Sequence, residues 1–454
     1  MEKPLLIYNA RLVDKDMDAK KSSVLIRKGK IDGFPSAEAV KEFLKDSSID
    51  KLDAKGMIVM PSFIDMHVHM RDPGQTQKED LESGCHAAVA GGFGTVVLMP
   101  NTNPVISSQK DAEKNMDKAE KLGLLKVYQS VSITKGFDGK NTEHIDSLDK
   151  KTVPLITEDG HEVTDSAVML EGMKKAAAKK IIVSCHSEDP FLASEAKPLR
   201  KNALDLLNKN KPSAEDKKNA KKYLQEANSI LAAAEDCATF RNIRLAEDAK
   251  VHVHLCHVST KQSLDAVRRA KQNGQNVTCE VTPHHLGLNS ETAATCFQIV
   301  NPPLRPETDR LAVIAALKDG TADVIATDHA PHTAQDKASG SPGFSGLETA
   351  FSVCYTVLCI ENGMKLKTLS EKMSARPAEI LGLKNEGLLE EGFDADLVLI
   401  DPESTWTVRG ENFQSKGKYT PLEGKKLTGK IVATIYKGKF VYRAYGYNIE
   451  AIGI

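Results

Sequence analysis

The chain has 454 residues, with 61 Lys and Arg against 62 Asp and Glu, a formal net charge of −1. That balance leaves no electrostatic footprint for nucleic acid or an acidic membrane, and the length exceeds one compact core, so a large domain with a smaller companion is expected. No long apolar run marks the N-terminus, no stretch reaches the ~20 residues of a membrane span, and eight scattered cysteines (Cys85, Cys185, Cys237, Cys256, Cys279, Cys296, Cys354, Cys359) form no Cys-x-x-Cys pair, which excludes a secreted disulfide scaffold and points to a reduced, cytoplasmic protein.

In chain order, residues 5–13 and 23–31 read as short alternating strands. Residues 58–64 are an apolar stretch, part of a strand expected over 58–67, and it is closed by Asp65-Met66-His67-Val68-His69-Met70-Arg71. In an extended chain alternate side chains share a face, so His67 and His69 point the same way and can grip one divalent cation. Arg71 follows at the same parity and can hold an anion beside it. Further apolar or β-branched segments lie at 94–99, 125–131, 153–157, 181–186, 251–257, 277–282 and 324–327. Charged, Ala-rich, helix-favouring stretches separate them, among them 107–121, 167–179, 262–272 and 310–318. Such alternation predicts a parallel sheet buried on both faces, closed as a (β/α)8 barrel. Gly91-Gly92-Phe93-Gly94 precedes a strand, so it reads as a tight turn and not as a dinucleotide-binding loop.

Residues 195–225, rich in Lys and Asn, insert between the fifth and sixth strands. They read as a solvated helical excursion, with a mobile lid as the alternative. The tail returns to strand texture at 395–400, 405–409 and 430–442, with a hairpin turn at Gly438. The expected division is therefore a barrel over 58–384 beside a small β-sandwich built from 1–57 and 385–454.

Active sites of such barrels form at the C-terminal ends of the strands. Here those ends carry His67 and His69, then Met99-Pro100-Asn101-Thr102-Asn103-Pro104, then Glu158-Asp159-Gly160, His186 and His257. The loop after the seventh strand offers His284, His285 and Asn301-Pro302-Pro303-Leu304-Arg305, and the eighth strand ends in Ala326-Thr327-Asp328-His329-Ala330-Pro331-His332. Any one of these histidines alone reads more readily as a core residue. Their shared placement points to a metal centre. Four imidazoles with bridging oxygens suit Zn2+ or a similar ion, and two close metals can share a hydroxide and clamp a carbonyl.

The strings His67-Val68-His69-Met70-Arg71-Asp72-Pro73-Gly74, Met99 to Pro104, Asn301 to Arg305 and Ala326 to His332 resemble the dihydroorotases, in their class I bacterial form, within the amidohydrolase superfamily. The likeness spans nearly the whole chain, including Ala395-Asp396-Leu397-Val398. It implies that His67, His69 and Asp328 ligate one Zn2+ and that His186 and His257 ligate a second. A hydroxide and Asp159 would bridge the two, Asp159 standing where relatives use a carbamylated lysine. Thr157-Glu158-Asp159-Gly160 departs from the more usual pair of aspartates before glycine. Asp328 would be the catalytic proton carrier. Arg71, Asn101, Asn301, His332, Pro342 and Gly343 would meet the substrate.

The implied reaction is reversible hydrolysis of the cyclic amide of dihydroorotate to N-carbamoyl-aspartate, a step of pyrimidine synthesis, in a cytoplasmic homo-oligomer, expected as a dimer. Whether a transcarbamoylase binds is not legible in the sequence. Two alternatives stand beside it. One is another cyclic amidase (dihydropyrimidinase, hydantoinase or allantoinase), which usually carries lysine at the bridging strand end. The other is a non-catalytic relative, which typically loses ligands. His252, His254, His284 and His285 read as wall or ligand-orienting residues, while His86, His144 and His161 receive no role.

Overall fold

The computed structural model describes residues 3–291 and 299–447; Cys296 lies outside them. Eight parallel strands form the barrel: β1 (Phe63–Val68), β2 (Phe93–Leu98), β3 (Lys126–Gln129, continued by Val131–Ser132), β4 (Leu155–Thr157), β5 (Ile182–Cys185), β6 (Val253–Leu255), β7 (Val277–Val281) and β8 (Val324–Ile325). Consecutive strands pair in that order. Every residue of β1, β2 and β4 to β8 is buried, which is why these segments are apolar without alternation. Helices Gln109–Glu120, Ser166–Lys179, Lys261–Gln272 and Glu307–Asp319 lie within three residues of their expected positions. Ser108, Asp165 and Thr260 cap the first three of these by accepting from backbone N–H groups.

The barrel ladder is interrupted twice. It breaks inside β3 at Ser130, where Ser130 Oγ donates to Leu98 O at 2.6 Å and the Gln129 amide reaches Leu98 O at 3.1 Å. Between β8 and β1 a bridge from Val68 to His329 closes the ring, with His69 N donating to His329 O at 2.8 Å. The Asp65 carboxylate ties the same join by accepting from His67 N and Thr327 N, both at 3.1 Å. His69 and Asp328 thus sit where the ring closes.

Both chain ends build a second sheet of eight strands. Its middle is Leu5–Val13, Ile58–Pro61 and Leu397–Thr407. Leu397, Leu399, Val59 and Ile7 pack into the sheet's own core, while Val398, Ile400, Ile58 and Met60 pack against the barrel. Burial on both faces explains another unbroken apolar run.

That double burial also hides a boundary. The expected strand 58–67 is two strands. Ile58–Pro61 pairs antiparallel with residues 397–400 of the small sheet, and the chain crosses into the barrel at Ser62. The expected strand 23–31 is a hairpin of Asp18–Arg27 and Lys30–Gly33, turned by Lys28 (φ 49°) and Gly29 (φ 75°). Residues 405–407 continue Leu397–Thr407 across an irregularity in register. The Gly438 hairpin forms as expected, with Lys437 at φ 48° and Gly438 at φ 78°.

The segment after β5 forms two helices, α1 (Pro190–Leu207) and α2 (Ala214–Ala249). Asp189 caps α1, and a reciprocal Ser213–Asp216 pair caps α2. They pack through Ala196, Ala227 and Leu231, so the helical excursion carries an apolar inner face as well as its solvated one. Among the described residues no helix is long and apolar enough to cross a membrane.

Candidate metal centre and active site

The extended backbone of β1 brings the His67 and His69 rings to 5.2 Å, centroid to centroid. His257, just past β6, stands 5.2 Å from His67 and 4.7 Å from His186. Two carboxylates enter among these rings. His67 Nε2 lies 3.2 Å from Asp159 Oδ1 and 3.6 Å from Asp328 Oδ1. His69 Nε2 lies 3.5 Å from Asp159 Oδ2 and 3.1 Å from Asp328 Oδ1. Two sets, His67 with His69 and Asp328, and His67 with Asp159 and His257, each gather three donor atoms within 4.8 Å of one another.

Hydrogen bonding on the far side of each ring settles which atoms face inward. A carboxylate only accepts, so Asn101 Nδ2, 2.9 Å from Asp159 Oδ2, is the amide donor. Asn101 Oδ1 then faces His69 Nδ1 at 2.9 Å, and that ring nitrogen must donate. His67 Nδ1 donates likewise to Glu280 Oε1 at 2.7 Å. Both Nε2 atoms therefore face carboxylate oxygens. Buried His67 Nε2 and Asp159 Oδ1 make no hydrogen bond at all. Ring nitrogens and carboxylate oxygens that converge this closely call for positive charge among them, and the donor set fits a divalent metal ion.

The electrostatics show the same demand for positive charge beside these carboxylates. Burial disfavours charge on His67, yet Glu280 and Asp159 outweigh it and raise its pKa well above the ordinary value. Burial likewise opposes ionisation of Asp159, but His67, His69 and His186 hold it well below the carboxylate range. Asp328 is held down to about 2 by His69 and His67 against the same burial. Burial and the neighbouring His186 push His257 down to about 3, the neutral form a metal ligand needs. His186 is raised, chiefly by Asp159 against its own burial.

Three residues here adopt the left-handed backbone region that non-glycine residues avoid: Arg71 (φ 57°), His257 (φ 33°) and Asp328 (φ 49°). Each stands where a strand gives way to its loop, and each conformation costs about 1 kcal/mol or more.

A cavity of about 230 Å3 opens beside the carboxylates. Arg71, Asn101, Asn301, His332, Pro342 and Gly343 line it together with His69, Asp159, His186, His257 and Asp328. Of the twelve residues singled out in the sequence, only His67, fully buried, stays outside its wall. Arg71 is buried, and among the described residues no carboxylate pairs with it. Its nearest polar partners are Pro331 O at 3.4 Å and His332 Nε2 at 3.3 Å. Burial lowers the Arg71 pKa, with Asp328 and Asp159 opposing. His332 is held neutral, pushed down to about 3 by burial and Arg71, and its Nε2 lies 2.9 Å from Pro342 O. The fully buried Lys337 ammonium gathers the loops, donating to Ile299 O at 3.0 Å, Ser341 O at 2.8 Å and Gly343 O at 2.7 Å.

Glu280 was missed in the sequence. Besides His67 it takes His254 Nε2 at 3.1 Å and His257 N at 3.2 Å. Its signal was present: one carboxylate inside Val277-Thr278-Cys279-Glu280-Val281, a strand otherwise suited to burial. His254 supports the centre through Glu280, whereas His252 bonds Thr278 Oγ1 at 2.8 Å. His285 uses its ring nitrogens on Thr282 Oγ1 (2.8 Å) and Pro303 O (3.3 Å), and His284 packs against Phe344. That pair braces the loop, and among the described residues it makes no hydrogen bond to His67, His69, Asp159, His186, His257 or Asp328. Glu158 turns away from the centre, accepting from Thr134 N at 2.9 Å, and burial pushes its carboxyl up to about 7.

A model of the amidohydrolase family matches residues 58–441. A dihydroorotase from Clostridium botulinum is 41% identical over 97% of this chain and 99% of its own length. Another from Aquifex aeolicus is 38% identical over 97% of this chain and 99% of its own. Among solved structures, an L-hydantoinase from Arthrobacter aurescens superposes with a TM-score of 0.83 at 22% identity, covering 97% of this chain and 96% of that one. A dihydropyrimidinase from Brevibacillus agri gives 0.80 at 20% identity, covering 97% and 95%. At such identities the structural likeness speaks for the fold alone. The chain belongs to the amidohydrolase family, a metal-dependent family of hydrolases, and within it to the dihydroorotases.

Proposed function

We propose that this enzyme interconverts dihydroorotate and N-carbamoyl-aspartate by hydrolysing and closing the cyclic amide, the ring-forming step of pyrimidine synthesis. One observation carries the choice of substrate: Arg71 is a buried guanidinium without a carboxylate partner among the described residues, and it faces the cavity of the metal centre. Dihydroorotate has a ring carboxylate to meet it. Dihydrouracil, hydantoin and allantoin have none. A planar fork matches a carboxylate bidentately, which orients the ring as well as binding it. Asp159 at the end of β4, where the rival amidases usually carry lysine, favours the same reading.

In this reading His67, His69 and Asp328, with His186, His257 and Asp159, would hold the divalent metal, and Zn2+ would suit these nitrogen and oxygen donors. Such ions lower the pKa of water and polarise a carbonyl. The chain's own residues supply the rest. Glu280 and Asn101 lock the imidazole tautomers. Asp328, ionised at neutral pH, takes the proton of the attacking water and returns it to the departing ring nitrogen. Arg71 and neutral His332 receive the substrate carboxylate, and Asn301 with the backbone at Pro342 and Gly343 holds the ring. Ring closure runs the same steps backwards through the same groups.

The test compares turnover of dihydroorotate, dihydrouracil, hydantoin and allantoin by Zn-loaded protein. Strong preference for dihydroorotate is expected. Preference for an uncharged ring would transfer the assignment to another cyclic amidase.

A further inference from the structure

The Lys-rich segment after β5 has no part in the chemistry above, yet it reaches the site. Its helix α1 lines a wider cavity of about 1280 Å3 that shares His186, Asn301 and Pro342 with the smaller one. From α1, Arg200 Nη1 donates to Asn301 Oδ1 at 2.9 Å and Nη2 donates to Val300 O at 3.1 Å. A guanidinium has donors only, so the oxygen of the Asn301 amide is the atom facing it. The nitrogen consequently points the other way and donates to Glu188 Oε1 at 2.8 Å. Glu188 follows His186 by two residues, at the mouth of β5. A 180° flip of this amide would oppose N–H to guanidinium and oxygen to carboxylate, so its orientation is determined from both sides. Among the described residues Glu188 uses one of the two Nδ2 hydrogens.

We propose that Arg200 is a positioning residue: it sets the Asn301 amide so that the second N–H is presented to the substrate, and so couples the helical insertion to the active site. This rests on the dihydroorotase reading, in which Asn301 meets the ring. Burial lowers Arg200 to about 10, which leaves it charged at neutral pH. A lysine there keeps the charge but lacks the fork that spans Asn301 Oδ1 and Val300 O together.

Steady-state kinetics with dihydroorotate test this on the metal-loaded wild type, Arg200→Met, Arg200→Lys, Asn301→Ala and the Arg200→Met/Asn301→Ala double variant. Loss of a charged hydrogen bond to a binding group should raise KM about tenfold in Arg200→Met, with kcat changed by less than about threefold. Arg200→Lys should recover part of the loss. In the Asn301→Ala background Arg200→Met should add nothing, because the group it positions is gone. Unchanged KM in Arg200→Met, or its full effect repeated without Asn301, overturns the proposal. If Arg200→Met does not fold, Arg200→Lys in both backgrounds makes the same comparison. Wild-type turnover separates the two claims. Its absence overturns the reaction and this proposal together, whereas wild-type turnover with Arg200-independent kinetics overturns this proposal alone.

Discussion

His67 and Glu280 are joined by a 2.7 Å hydrogen bond between Nδ1 and Oε1, both residues fully buried and on strands that lie on different arcs of the barrel. The bond settles the His67 tautomer and aims Nε2 at Asp159 and Asp328. Carboxylates that orient a metal-bound imidazole typically contribute tenfold to hundredfold to metal affinity. Glu280→Gln should therefore bind Zn2+ about 10- to 100-fold more weakly, measured by competition with a chelator of known affinity. Wild-type affinity in a folded Glu280→Gln protein would remove Glu280 from the centre.

Asp328 and Arg71 should fail in different ways. Asp328→Asn keeps the shape but cannot carry the proton, so kcat should fall by about 10^2 to 10^4 while circular dichroism stays native. Arg71→Ala should act mainly on KM for the carboxylated substrate, because in the proposed reading the guanidinium binds the carboxylate and takes no proton. A kcat-only defect in Arg71→Ala would contradict its place at the carboxylate.

Arg305 belongs to the string that resembles dihydroorotases, yet its guanidinium points away from the cavity. It meets Glu235 of α2 at 2.9 Å and Ser259 Oγ at 2.9 Å, with both charged groups buried. Burial opposes ionisation of Glu235, but Arg305 and the Ser259 and Thr260 hydrogen bonds hold its pKa below the ordinary value. Arg305→Leu strands that carboxylate and should cost about 3–5 kcal/mol in denaturant unfolding. Adding Glu235→Leu should restore most of it. Equal stability of the single and double variants would show that a stranded Glu235 carboxylate is not the source of the loss.

Much of the fold was legible because barrel strands buried on both faces must be apolar throughout, and because their C-terminal ends carry the chemistry. The two-strand nature of residues 58–68 was not legible. Ile58 and Met60 face the barrel just as barrel residues do, so the apolar pattern runs through, and Pro61-Ser62 was the only signal of the change of sheet. Local order within a strand placed His67 beside His69. The partners that orient them, Glu280 and Asn101, come from other strand ends, and which carboxylate reaches which nitrogen depends on register around the ring. Arg200 was hidden for a different reason: one arginine in a run of charged surface-like residues has the composition of a solvated helix. Only its packing shows that it turns inward.

Asp396 gives a pH signature away from the metal centre. Burial raises its carboxyl to about 7, although Lys437 N donates to Oδ1 at 2.6 Å. Unfolded aspartate releases its proton near pH ~4. Between those values the folded state holds the extra proton, so stability falls as pH rises from about 4 to about 7. Asp396→Asn keeps the acceptor and removes the titration. Its thermal midpoint should exceed that of wild type by more at pH 8 than at pH 5. Parallel midpoints at both pH values would exclude Asp396 as the source.

The most direct test of the whole account pairs elemental analysis with an assay of dihydroorotate and N-carbamoyl-aspartate on one sample. Bound divalent metal, turnover in both directions, loss of both on chelation and recovery of both with Zn2+ are expected. Full activity in metal-free protein, or no turnover of either compound by the metal-loaded protein, would contradict it.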